Sequence, residues 1–155
     1  MNEIERDHFR VLDETHDVRN EGVGALVNEH LALKLPGDNP ALGGLIGELY
    51  AMELAYSESF STFETDFSGI GGVIFEDASD MSERFGRADE ELKANISSLS
   101  DAQIHAQVDR GGWSLPVIVN FHIYREGVLI YLGKIDVYLR AFGLARGDKW
   151  SGWIG

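Results

Sequence analysis

Apolar positions recur at three- and four-residue intervals over four long stretches of this chain, separated by glycine, proline and capping residues. The first stretch predicts a helix from about Asn2 to Ala32. Ile4, Phe9, Val11, Leu12, Val18, Val23, Leu26, Val27 and Leu31 form its apolar face, and Asp7, Arg10, Asp13, Asp17 and Arg19 its wet side. Gly22 and Gly24 predict a bend near its end. Pro36, Gly37, Asp38, Asn39 and Pro40 then interrupt the pattern. Asn39 before Pro40 predicts an N-cap with proline in the first turn, opening a second helix from about Pro40 to Thr62. Its expected buried positions are Leu42, Leu45, Ile46, Leu49, Met52, Leu54, Tyr56 and Phe60.

Residues 63–79 form the longest irregular connection, with an extended piece expected at Gly72–Phe75. Gly69, Gly71 and Gly72 do not make a phosphate loop, because no Lys follows, the spacing fits neither phosphate fingerprint and the neighbours are acidic. A third helix begins near Ser79 or Ser82 and ends near Ser97. Ser100, with Gln103 three residues on, predicts a capping box and a short helix to about Gln107. Arg110–Ser114 reads as a turn. A fourth helix runs from Leu115 or Pro116 to Gly143, a residue suited to helix ends. No repeat or low-complexity tract appears. Residues 1–155 thus read as one all-α domain, a four-helix bundle with a long crossover between helices two and three.

The fourth helix carries three stripes. Ile118, Phe121, Arg125, Val128, Leu132, Ile135, Leu139 and Phe142 form a core seam. Arg125 must find a partner there, with Glu48, Glu53 or Glu58 available, or reach past the seam to water. Val117, Tyr124, Tyr131 and Tyr138 repeat every seven residues beside the seam, as a core edge or a pocket lining. Ile123, Ile130 and Val137 repeat on the other side, flanked by Gly127, Gly133 and Ala141. That apolar stripe predicts a second packing surface, either a homodimer interface or a seat for the tail with Trp150 and Trp153.

Charge and composition narrow the function. The formal net charge is −13, which disfavours nucleic acid and anionic membrane surfaces as partners. There is no Cys, which removes disulfides, thiolate metal sites and a Cys nucleophile, and favours a cytoplasmic setting. The N-terminal residues show no secretory pattern, and no apolar run is long enough to span a bilayer. No G-x-S-x-G elbow supports serine hydrolysis. His8, His16, His30 and His105 read as surface or edge residues.

The helix order, together with Gly133-Lys134-Ile135, Leu139-Arg140-Ala141-Phe142-Gly143, and Gly47-Glu48 followed by Glu53, resembles the DinB/YfiT-like bundle proteins. That family includes DNA-damage-inducible proteins and thiol-dependent enzymes. The resemblance implies a divalent metal such as Zn or Ni held by three His, one on helix two and two on the last helix. Position by position these fall on Glu48, Gly127 and Tyr131, so no His-rich site is expected. His122 and Glu126, four residues apart, are the relocated alternative. The expectation is therefore a protein without a metal cofactor, binding a small molecule in a stress or damage response. Its candidate cleft comprises Glu48, Glu53, Tyr124, Arg125 and Tyr131. The alternative is a metal-dependent thiol S-transferase or hydrolase.

Overall fold

Asn2 starts the first helix with a reciprocal cap. Its side chain accepts from the Glu5 amide at 3.1 Å, and the Glu5 carboxylate accepts from the Asn2 amide at 2.8 Å. Its amide group also donates to the carbonyls of Ile96 and Leu99, so the same residue fastens the helix start to the far end of another helix. In this computed structural model, which describes residues 1–155, α1 is Glu3–Gly24 and α2 is a single turn at Asn28–Leu31. The remaining helices are α3, Leu42–Thr62; α4, Ala78–Ser97; α5, Val117–Ala141; and α6, Asp148–Ile154. Between α4 and α5 lie a 3-10 turn at Gln103–His105 and a hairpin of β1, Gln107–Asp109, and β2, Ser114–Pro116.

The long helices α1, α3, α4 and α5 make the bundle. α4 packs on α1 and α3, and α5 packs on α1 and α3, so the helices ring the core in the order α1–α4–α3–α5. One continuous apolar cluster fills the centre, with Leu12, Leu49, Phe60, Phe85, Phe121, Val128 and Leu132 all shielded from water. The crossover after α3 lies tightly against it. A Cβ on Gly47 would sit 2.4 Å from the Val73 carbonyl, so only glycine permits that approach. No helix is long and apolar enough to cross a membrane.

Several boundaries differ from the sequence reading. The first helix stops at Gly24 instead of running on to Ala32, because Val27 is extended (φ −116°, ψ 168°) and restarts the chain as α2. Arg19, assigned to the wet side, is fully buried. Asn39 does not cap α3: its side chain donates back to the Pro36 carbonyl at 2.6 Å, and the extended Ala41 is the N-cap. Asp77, not a serine, caps α4 by accepting from the Asp80 amide at 2.8 Å. The reciprocal Ser100–Gln103 bonds are present, but they close one 3-10 turn, since Gln107 has already entered β1. β1 pairs antiparallel with β2, Val108 opposite Leu115, and Gly111 and Gly112 take positive φ in the turn. At the end of α5, Gly143 (φ 64°) lets the Leu144 amide reach back to the Leu139 carbonyl at 2.8 Å. Phe142, counted in the seam, is 36% exposed at this end.

The two tail tryptophans divide. Trp150 is fully buried and its indole donates to Asp136 at 2.9 Å, while Trp153 is exposed. Trp150 lies on α1, where a Cβ at Gly22 would come within 2.2 Å of its ring. Trp150→Ala should cost about 3–5 kcal/mol in urea unfolding. Gly22→Ala should undock α6 and shift tryptophan emission to the red; unchanged emission would contradict this packing.

Candidate functional site

Five polar side chains meet at the bundle axis. On α1, His16 and Arg19 lie three residues apart and so share a face. α3 contributes Glu53, α4 Asp89 and α5 Tyr124. All but Asp89 are at most 3% exposed, and Asp89 is 14% exposed at the side chain. The Arg19 guanidinium bonds Glu53 Oε2 through Nη1, and Asp89 Oδ1 and Oδ2 through Nη2 at 2.7 and 2.6 Å. The Tyr124 hydroxyl donates to Glu53 Oε2 at 3.1 Å and lies 2.7 Å from His16 Nε2. The circuit closes with His16 Nδ1 2.9 Å from Asp89 Oδ1. This last contact is close but not aligned as a hydrogen bond, and His16 Nδ1 and Glu53 Oε1 both lack a hydrogen-bond partner.

Environment sets the charge states. Burial disfavours the Arg19 charge, but the Glu53 and Asp89 carboxylates outweigh it and raise the pKa above the ordinary arginine value. Phe85 stacks under the guanidinium at 4.5 Å. Burial pushes the Asp89 carboxyl up, yet the His16 contact and the Arg19 charge hold it well below the usual carboxylate range. Burial, and then the Glu53 charge, raise the Tyr124 phenol well above its ordinary value, so it stays a neutral hydroxyl.

The sequence reading picked out Glu53 and Tyr124 but missed their three partners, and it placed His16 at a surface or edge where the structure buries it. The signal was spacing. Leu12, His16, Arg19 and Val23 follow the same three-four pattern as an apolar seam, as do Leu49, Glu53, Tyr56 and Phe60, and Phe85, Asp89, Leu92 and Ile96. Each charged residue occupies a core position in its helix.

The structure does not gather the five expected cleft residues. Glu53 and Tyr124 belong to the axial cluster. Arg125 is half-buried, has no ion pair to Glu48, Glu53 or Glu58, and leaves its Nε without a partner. Glu48 and Tyr131 sit together in a groove on the outside of the bundle, between the antiparallel α3 and α5. Burial, and then the Glu48 charge, raise the Tyr131 phenol. Lys134 Nζ lies 4.5 Å over the Tyr131 ring. Two recesses occupy this groove. One, of about 400 Å3, lies among Met52, Tyr56, Phe67, Ile70, Ile123, Gly127 and Ile130. The other, of about 360 Å3, lies among Leu45, Glu48, Lys134, Val137 and Tyr138. Ile123, Ile130 and Val137 therefore also line one wall of the groove. The tail docks on α1 and leaves Ile130 61% and Val137 55% exposed.

The positions implied for the family metal do not fit one. Gly127 has no donor atom, Tyr131 is a neutral phenol, and Glu48 alone can ligate strongly. Of the relocated pair, His122 packs edge-on against His8 at 4.8 Å between ring centres. The one trio of His, Asp and Glu close enough to share an ion is His16, Glu53 and Asp89.

No protein-family model and no curated protein matches the chain. Several solved structures share its fold, two of them DinB-like proteins from Bacillus. A DinB-like protein from Bacillus subtilis, YjoA, is 14% identical with a TM-score of 0.69, over 85% of this chain and 88% of that one. A DinB-like protein from Bacillus cereus is 14% identical with a TM-score of 0.74, over 90% of this chain and 93% of that one. The chain has the DinB-like fold.

Two predictions follow from the axial cluster. Arg19→Met leaves two buried carboxylates without their cation and should cost about 3–5 kcal/mol in urea unfolding. The pKa of Asp89 is lower folded than unfolded, so the unfolded chain takes up its proton first as pH falls. The stabilisation from Asp89 is complete above the unfolded carboxyl value of about 4 and fades as pH drops toward the depressed folded value. Asp89→Asn should flatten the acid limb of the urea midpoint plotted against pH.

Proposed function

We propose that this chain is a small-molecule-binding protein that uses the groove between α3 and α5 and needs no metal there. The observation that carries the reading is Gly127. Its missing side chain leaves the groove floor open over Met52, where an added Cβ would already stand 3.3 Å from the sulfur. Tyr56, Phe67, Ile70, Ile123 and Ile130 surround that recess, so its lining is mostly apolar with a few polar groups at the margin. Glu126 borders one recess and Glu48 the other, and the chain as a whole is strongly acidic. The fitting ligand is a neutral or cationic molecule with an apolar body. A metal-dependent thiol transferase would need donors that Gly127 and Tyr131 do not supply.

A homodimer is the second reading, favoured by the exposure of Ile130 and Val137 on a helix face that the tail leaves bare. Such a dimer would cover the groove wall, so the two readings compete for one surface.

The neutral probe N-phenyl-1-naphthylamine tests the first. The protein should enhance its fluorescence saturably, with one site per chain. Ile130→Glu, and Gly127→Leu, which fills the recess, should each weaken binding about tenfold, the scale set by about 1.4 kcal/mol of lost apolar contact. No saturable enhancement, or equal binding by both variants, would overturn the ligand reading. Light scattering tests the second: a mass of one chain at high concentration removes the dimer.

A further inference from the structure

Glu48 and Lys134 line the same recess of the groove and carry opposite charges, yet they do not pair with each other. No ion pair of the chain uses either one. Lys134 instead rests its Nζ 4.5 Å over the Tyr131 ring. For an exposed lysine that contact is weak, and the flexible stem is free to leave it. The Tyr131 phenol lies beside the Glu48 carboxylate, while the Tyr138 hydroxyl is committed elsewhere and donates to the Pro40 carbonyl at 2.6 Å. Asn39 lines the recess too. Its amide nitrogen donates to the Pro36 carbonyl, which leaves its side-chain oxygen to accept. The recess therefore presents acceptors on Glu48 and Asn39 and a charged donor on Lys134.

A ligand with a single charge satisfies one of the two ions and meets its own sign in the other. A zwitterion satisfies both. We propose that this recess binds the ammonium-carboxylate head of an α-amino acid, with the ammonium on Glu48 and the carboxylate on Lys134. The inference rests on the reading of the groove as a ligand site and names the head group that the ligand carries. A zwitterion has no net charge, so the acidity of the chain does not oppose its entry. The amino-acid side chain has a place as well. Ile130 lies one turn before Lys134 on α5, about 6 Å along the helix axis, and belongs to the apolar recess around Gly127. Tyr56 and Phe67 bring their rings to that recess, which suits an aromatic side chain.

L-Phenylalanine titrated into the full-length protein by calorimetry should bind one molecule per chain. Phenethylamine, which lacks the carboxylate, and 3-phenylpropionate, which lacks the ammonium, should each bind at least about tenfold more weakly. These comparisons use the native protein and do not depend on a folded variant. Lys134→Met should erase the advantage over phenethylamine, and Glu48→Gln the advantage over 3-phenylpropionate. Saturable binding of N-phenyl-1-naphthylamine with no binding of phenylalanine, or with both analogues bound as tightly as phenylalanine, would overturn this inference and leave the groove reading standing. Failure of the neutral probe and of phenylalanine together would overturn both. A preference for phenylalanine that survives in both variants would overturn the assignment to Glu48 and Lys134.

Discussion

The Arg19 guanidinium, wholly removed from water, joins Glu53 on the opposite helix of the bundle to Asp89 on the neighbouring one. Helices α1 and α3 lie across the diagonal of the ring, where apolar side chains alone set no particular register. A fork of fixed donors does, because both carboxylates must arrive at the right height on their helices. Tyr124 and His16 extend the constraint to α5, so all four long helices are pinned at one level. An apolar replacement of similar volume often costs nothing or gains stability. What these charges add is the common register of the four helices.

The same level divides polar groups inside the bundle from the groove outside it. Inside, the polar groups are buried and almost fully paired. Outside, the groove between α3 and α5 is apolar around Gly127 and polar around Glu48 and Lys134, and the last-helix positions that the resemblance assigns to metal ligands hold a glycine and a neutral phenol. The axis offers a locked polar network, while the groove offers shape and apolar surface. Gly127 matters by what it omits, and Gly47 and Gly22 by what they let approach, the crossover in one case and the tail in the other.

The bundle was legible because burial imposes a three-four period, and α1, α3, α4 and α5 all obey it. Pro and Gly made the crossover legible, and the two Trp marked the tail as a docking element but not its seat on α1. The hairpin was not legible, since strands of three residues are too short for alternation to show, and only Val108 and Leu115 face inward. The cap of α3 was misread because Ala41 is still extended and bridged to Lys34, so the helix opens beyond the reach of Asn39. The axial cluster was half legible. A charge in a seam was read as wet on α1, although Arg19 lies seven residues after Leu12 and four before Val23, and its partners lie far off in sequence. The stripe on α5 was seen, but its neighbour across the groove, α3, could not be inferred from the wheel of one helix.

The central claim is that Arg19 is a locked, doubly paired cation at the bundle axis. Nitrogen-15 spectra of the arginine side chains test it directly. The account predicts one guanidinium with separately resolved, slowly exchanging Nη protons that lose their resolution in Asp89→Asn. Side-chain signals that are all averaged and exchange rapidly, as for arginines in water, would contradict it.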